Sequence, residues 1–249
     1  MRLLICFLLG LSGTLTAQPA AGARNGDRAI LLNFGYGPFR SAGDLADRFG
    51  GGFALDGGVD YAPPSGPWQV GLMVAFGFGN SVKEDVLAGL RTDAGFLIGN
   101  QRQPAEVALR QRQLFVGPRF GYTLPLGKNA RAGLKSSTAV GYFYSRIRLQ
   151  ADPVQFVPQI DGRRAAGYDR LAGGPALYQF LGYQQLALDR RLNFYLGADL
   201  TAGFTRALRA FDIATGGPSP EAGRRDIVLG VRAGIILPLY LGTGEAIYY

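Results

Sequence analysis

The stretch WQVGLMVAFGFG, residues 68–79, alternates large apolar side chains with small or polar ones along its whole length. Trp68 and every second residue after it, through Phe78, are large and apolar, whereas the residues between them are mostly small. A period of two is that of a β-strand, whose successive side chains point to opposite faces. The stretch therefore predicts a strand with one face towards an apolar medium and the other towards a narrow interior.

The same alternation recurs near the end of the chain, in residues 192–204 and 227–237. A soluble sandwich places its large side chains inside and its charged ones outside. Here the second face is rich in Gly and carries isolated charges, which is typical of the narrow lumen of a small barrel. In the fifth and sixth predicted strands the alternation is blurred, so their facing stays open. The predicted strands are 28–37, 52–62, 68–79, 107–124, 133–149, 175–188, 192–207 and 225–239.

The connections between these strands indicate the topology. They are short after strands two, four and six and long after strands one, three, five and seven, as in bacterial outer-membrane barrels. The fold class predicted is all-β: an eight-stranded antiparallel up-and-down transmembrane β-barrel with short periplasmic turns and long extracellular loops. Two loop segments, 41–48 and 81–90, begin with a Ser followed three residues later by an acidic residue, which predicts a short helix in each.

The first 17 residues have the layout of a secretory signal peptide, with a basic start, an apolar run and a small polar end. Beyond them, no stretch reaches the ~18 apolar residues that a transmembrane helix needs. We therefore predict a signal peptide in 1–17, a short periplasmic segment in 18–27 and the barrel in 28–249. Export together with membrane-spanning strands predicts location in the outer membrane.

Composition removes most enzyme classes. The chain has no His, and its one Cys lies inside the predicted signal peptide. Nucleophile systems that use His, His-ligated metals, thiol catalysis and disulfides are therefore excluded. Asp56 and Asp60 share one face of strand two and could in principle act as an acid–base pair, but we expect no enzyme activity, no cofactor and no metal.

The net charge of +8 comes from 26 Lys plus Arg residues against 18 Asp plus Glu. These cations are scattered, which argues against nucleic acid as a partner. Loop charges beside the anionic head groups of the membrane are the simpler interpretation. The partners we expect are outer-membrane lipid and lipopolysaccharide, the barrel-assembly machinery, and other envelope proteins.

Five charged residues fall on the lumen face of the predicted strands. An eight-stranded barrel is filled by its own side chains, and a charge sealed inside it must be paired. Asp199 and Arg232, on neighbouring strands, are the pair expected first. A proton or ion path through the lumen is the alternative to purely structural pairing. The five lumen residues are Asp56, Asp60, Arg119, Asp199 and Arg232.

One loop segment has the composition of a contact surface. Tyr168, Asp169, Arg170 and Leu171 lie in the third long loop and combine an aromatic residue with an Arg, two types favoured at interfaces. We therefore predict a partner-contact segment here.

Several short motifs resemble a family of exported barrels from Bacteroidota: residues 44–50, 79–85 and 167–171, and the terminal pair Tyr248-Tyr249. The resemblance implies an outer-membrane β-barrel. Because small barrels of these bacteria often accompany larger machines, it also implies an accessory role in outer-membrane protein assembly or secretion. The function expected is thus a non-enzymatic barrel that contacts envelope proteins. A narrow pore is the second hypothesis, and a loop-borne enzyme or adhesin the third.

Overall fold

The computed structural model describes residues 27–64, 66–151, 155–187, 192–220 and 222–241. The predicted signal peptide, most of the 18–27 segment and the Tyr248-Tyr249 terminus lie outside the described residues. Eight long strands dominate the described part. They are β1 (Ala29–Gly43), β2 (Gly51–Ala62), β3 (Trp68–Gly79), β4 (Val107–Pro125), β5 (Ala132–Ala151), β6 (Ala172–Leu186), β7 (Asn193–Ala207) and β8 (Arg224–Tyr240).

The eight strands form a closed antiparallel barrel in which each strand pairs with its neighbours in sequence. β1 closes the ring by pairing with β8, from Ala29 opposite Tyr240 to Gly43 opposite Asp226. Closure leaves no free strand edge, so every strand has hydrogen-bonding partners on both sides. The predicted fold class is confirmed.

The outer wall of the barrel is apolar. In β3 the residues that alternate outwards include Trp68 and Leu72, which are 41% and 64% exposed. The residues that follow each of them, Gln69 and Met73, point the other way and are buried in the lumen. The facing of β5 and β6 is also settled: Val140 of β5 and Leu177 of β6 are exposed on the wall, whereas their neighbours Ala139 and Tyr178 are buried. An apolar outer wall and a packed interior are thus continuous around the ring.

Four connections lie at the long-loop end of the barrel: L1 (44–50), L2 (80–106), L3 (152–171) and L4 (208–223). L1 is much shorter than predicted, because β1 does not end at residue 37. The strand continues past Pro38 to Gly43, and ladder pairing with β8 is interrupted only at Gly37 and Pro38. Proline has no N–H to donate, so the ladder is interrupted beside it without ending the strand.

The helix predictions for L1 and L2 are largely wrong. The only α-helix in the described residues, α1, covers Leu45–Arg48, and the predicted cap Ser41 lies inside β1. In L2 the predicted helix is reduced to a 3-10 turn at Ala88–Leu90, and Val82 instead forms a β-bridge with Phe49. The other short elements are 3-10 turns at Pro158–Ile160 and Gly162–Gly167 and two-residue strand pairs at Leu97–Ile98 with Pro104–Ala105 and Phe211–Asp212 with Gly217–Pro218.

Candidate functional site

The lumen contains a buried ion pair between Asp60 of β2 and Arg119 of β4. The Arg119 guanidinium donates two hydrogen bonds to the Asp60 carboxylate, at 3.1 Å and 2.6 Å. The Asn33 amide donates a third, at 2.9 Å. A carboxylate that accepts a bidentate bond from Arg is in a strong charge-assisted arrangement.

A second lumen cluster is built around Arg232 of β8, which is 2% exposed. Its Nη2 donates to Asp199 Oδ2 at 2.9 Å, and its Nε lies 3.2 Å from Asp56 Oδ1. Its Nη1 donates to the Ala54 carbonyl oxygen at 3.0 Å. The opposite side of Asp56 accepts a 2.6 Å hydrogen bond from the Tyr195 hydroxyl. Arg232 therefore bridges two carboxylates, Asp199 and Asp56, of which only Asp199 was predicted as its partner.

Asp56 and Asp60 belong to different clusters. Each is held by its own arginine, Arg232 and Arg119 respectively. Four residues along a strand correspond to about 13 Å, so the two carboxyl groups do not share a site. The geometry offers no acid–base pair at these positions.

Two buried charges on the lumen face were not predicted from the sequence, Asp226 of β8 and Lys135 of β5. Its ammonium group donates to Gln184 Oε1 at 2.6 Å and to Gln69 Oε1 at 3.0 Å. The available signal was that Lys135 shares the parity of Ser137 and Ala139, which are also buried. Asp226 pairs with Arg224 of the same strand at 3.2 Å.

Aromatic side chains fill the lumen around these clusters. Phe115 and Tyr178 have ring centroids 5.7 Å apart, and Phe180 meets Tyr195 edge-on at the same distance. Tyr178 lines two small lumen cavities, of about 20 and 10 Å³. Each is about the size of one water molecule. In the part of the chain described, these cavities do not amount to a channel.

The segment predicted to contact a partner is occupied within the chain. Tyr168 and Asp169 are buried. Arg170 pairs with Glu84 of L2 at 2.7 Å and also with Asp212 of L4. Glu84 in turn pairs with Arg48 of L1 at 3.2 Å. The segment therefore has an intramolecular role at the barrel mouth: its ion pairs link L3 to L2 and L4, and Glu84 extends the link to L1.

Asp169 adds a second link between L3 and L4. Arg209 donates two hydrogen bonds to it, at 3.2 Å and 2.6 Å, and this bonding raises the pKa of the Arg209 guanidinium. Burial lowers the pKa of Arg48 in α1, and the nearby positive charge of Arg224 adds to the effect. We call the set of Arg48, Glu84, Asp169, Arg170, Arg209 and Asp212 the mouth cluster.

Neither a metal centre nor a spanning helix is found in the described residues. They contain no group of three or more metal-ligating side chains that could hold an ion. None of their helices is long and apolar enough to cross a membrane.

No family model matches the chain, and no curated protein matches it. Several solved structures are similar. Ail of Yersinia pestis has 12% identity and a TM-score of 0.40, with 85% of this chain and 99% of that chain covered. Neisserial surface protein A has 11% identity, a TM-score of 0.41 and coverages of 87% and 98%. OprG of Pseudomonas aeruginosa has 12% identity, a TM-score of 0.36 and coverages of 87% and 98%.

The surface of the barrel itself determines where the protein resides. A spanning structure must satisfy its backbone hydrogen bonds internally, which a closed barrel does. On β4 the outward residues from Leu114 to Leu124 span ten steps, about 34 Å of strand, or about 26 Å at a tilt of about 40°. That height matches the apolar band of ~25 Å that outer-membrane barrels present to lipid. The chain is an integral outer-membrane β-barrel protein.

Proposed function

We propose that this protein is a non-enzymatic outer-membrane barrel with a plugged lumen, which serves as an accessory or structural subunit for other envelope proteins. The observation that carries the proposal is the occlusion of the lumen. Arg232 and Arg119 lie inside the lumen and pair with carboxylates one or two strands away, and aromatic rings fill the space between these clusters. With the interior closed, the outer wall and the loops are the surfaces that remain for function.

The mouth cluster supports a binding role for the loops. Because Arg170 holds L2 and L4 together, the loops form a fixed platform instead of independent flexible segments. A preorganised surface loses less conformational entropy on binding than a mobile one. Assembly or secretion machines of the outer membrane are the class of partner proposed, and membership of the Bacteroidota barrel family is part of the same proposal.

A narrow pore is the second candidate function. The periplasmic half of the lumen is polar, with Lys135, Gln69 and Gln184 around one another. Polar side chains and small cavities are compatible with the passage of protons or a very small ion if the aromatic layer moves. Under this alternative, the ion pairs would form part of the conduction path.

Planar-bilayer conductance separates the two functions. The accessory role predicts no reproducible single-channel steps from the native protein. A variant with Phe115→Ala and Tyr178→Ala removes two facing rings and is the positive control that shows the assay can detect an opened lumen. Reproducible single-channel conductance steps from the native barrel would overturn the proposal that the lumen is plugged.

Purification from membranes in mild detergent tests the accessory role directly. We expect a defined envelope protein to co-purify in a fixed ratio and to be lost when the loop platform is loosened by Arg170→Met. A barrel that is recovered alone from native membranes, with its heat-modifiable migration intact, would contradict the role as a subunit.

A further inference from the structure

Four arginines form a compact group on the outer wall of β4 and β5. Arg110 lies directly opposite Arg148, and Arg112 lies directly opposite Arg146. All four have the parity of the wall-facing residues Val116 and Val140. Directly opposed residues on one face of an antiparallel pair have Cβ atoms about 5 Å apart, so four guanidinium groups share one small patch. We call this set the arginine patch.

The arginine patch sits at the extracellular edge of the apolar band. The next outward rung below Arg112 and Arg146 pairs Leu114 with Tyr144, and the one below that pairs Val116 with Tyr142. Val116 is 50% exposed on the apolar wall. The guanidinium groups are thus at the level of the lipid head groups of the outer leaflet, and acyl chains would lie against the wall beneath them.

The patch has no internal counter-charge. In the described ranges, no carboxylate forms an ion pair with any of its four members; Arg112 donates one hydrogen bond, to the backbone oxygen of Gln111 at 2.7 Å. Other arginines of the barrel, such as Arg119 and Arg232, do pair with carboxylates. Like charges directly opposite each other destabilise a sheet. Two such rungs in succession indicate that the patch is built for an external anion.

We propose that the arginine patch binds the phosphate groups of lipopolysaccharide, the phosphorylated glycolipid of the outer leaflet. Arg presents planar, bidentate donors that fit phosphate oxygens, and it remains charged at any physiological pH. The ligand class follows from the position, because a phosphate at this height with acyl chains below it is a membrane lipid. The inference rests on the outer-membrane location, and it is independent of whether the barrel has a protein partner.

Lipid binding by refolded protein in neutral detergent tests the proposal. Native mass spectrometry measures the dissociation constant of lipid A, dephosphorylated lipid A, phosphatidylglycerol and inorganic phosphate. We expect lipid A to bind most tightly. We also expect Arg112→Gln with Arg146→Gln to weaken its binding at least tenfold, while the Lys versions of both substitutions retain part of it. Arg40→Gln is the matched control, since Arg40 faces outward at the extracellular end of β1, on the opposite side of the ring.

Three outcomes would overturn the proposal: tight binding of lipid A by the double Gln variant, equal weakening by Arg40→Gln, or equal binding of lipid A and either dephosphorylated lipid A or phosphatidylglycerol. A stability measurement adds a signature that a merely structural role would not produce. Without lipid A, the double Gln variant should unfold at a higher urea concentration than the native protein, because repulsion is removed. With saturating lipid A the order should reverse. Heat-modifiable migration shows whether each variant forms the barrel, so failure of this site is distinguishable from failure of the outer-membrane assignment.

Discussion

Asp60 and Arg119 lie on β2 and β4, two strands apart, and their ion pair passes directly over Gly71 of the strand between them. The three residues occupy one rung, with Asp60 opposite Gly71 and Gly71 opposite Arg119. A Cβ atom at Gly71 would overlap the Asp60 carboxylate and the Val59 carbonyl oxygen. Gly71 is therefore required because of the space the ion pair occupies.

Gly71→Val should destabilise the barrel by about 1–3 kcal/mol, the usual range for overpacking. The measurement is the urea midpoint of protein refolded in detergent. Gly57→Ala is the matched control, because Gly57 lies on the neighbouring strand and a Cβ there would meet atoms no closer than 3.9 Å. Equal urea midpoints for Gly71→Val and Gly57→Ala would show that the Asp60–Arg119 ion pair does not need the space left free at Gly71.

A second rung, which runs through four strands, has the same arrangement of a polar side chain passing over glycine. Tyr195 of β7 is opposite Gly234, which is opposite Gly35, which is opposite Asp56 of β2. The Tyr195 hydroxyl crosses both glycines to reach the carboxylate. Lumen glycines thus mark where a long polar side chain from another strand passes along the wall.

Loop organisation at the mouth depends on Arg170. Replacing it by Met leaves Asp212 buried without its partner, and losing one member of a buried pair typically costs ~3–5 kcal/mol. Because the loss falls on the loops, we expect Arg170→Met to speed tryptic cleavage at Lys83 and Arg209 while the urea midpoint of the barrel changes little. Arg102→Gln, at an exposed position in L2, is the control. An unchanged rate of tryptic cleavage in Arg170→Met would show that the mouth cluster does not hold the loops together.

Acid should loosen L2 through Asp85. Burial on its own would raise the pKa of this carboxyl, but hydrogen bonds from the Arg91 guanidinium and the Leu87 backbone N–H outweigh it and hold the pKa below its ordinary value. A depressed acid pKa stabilises the fold above the unfolded value of about 3.9, and this stabilisation is lost as pH falls through the folded value. The pair is partly exposed, so the effect is small and salt-sensitive.

Peptic cleavage of L2 near the buried Leu87 measures this loss. In the native protein, cleavage should increase only as the pH falls below about 4. Arg91→Gln removes the strongest hydrogen bond to Asp85, so the onset should move to higher pH. Identical pH profiles for the two proteins would show that Asp85 does not control the loop.

Alternation was sufficient to predict the barrel, and the reason is visible in β3. Each of its side chains faces either lipid or lumen, so a period of two is enforced at every position from Trp68 to Phe76. The pattern was least clear in β5, where Tyr142 faces lipid and Phe143 faces the lumen. Both environments accept an aromatic ring, and for that reason facing could not be assigned there and Lys135 was missed.

The ion-pair partners could be predicted only in part. Asp199 and Arg232 lie on adjacent strands, so neighbourhood alone identifies them. Asp60 and Arg119 could not be identified in this way, because their contact depends on the exact register of three strands and on Gly71. The helices predicted in L1 and L2 failed because capping residues are a local signal. Tertiary pairing overrode it when Ser41 joined β1 and Val82 paired with Phe49.

The stability of the cluster around Arg232 depends on two carboxylates, Asp199 and Asp56. From the sequence we expect Arg232→Met to cost about 3–5 kcal/mol and the double variant with Asp199→Leu to recover it, since replacing both members of a buried pair can be nearly neutral. The structure changes the second half of that expectation. Arg232 also lies 3.2 Å from Asp56, so the double variant still leaves one carboxylate without its cation.

We therefore expect recovery in two steps: partial with Asp199→Leu, and further when Asp56→Asn is added, because a neutral amide still meets the Tyr195 hydroxyl without needing a positive charge. Denaturant midpoints of the single, double and triple variants give the measurement. Full recovery of the denaturant midpoint in the double variant would mean that the hydrogen bond from Tyr195 is enough to stabilise the buried Asp56 carboxylate. If the triple variant folds with native stability and keeps its protein partner, the lumen charges only fix the pairing register of the strands. Loss of the partner in a stable triple variant would instead assign the lumen a function beyond structure, and the plugged accessory barrel would be the wrong proposal.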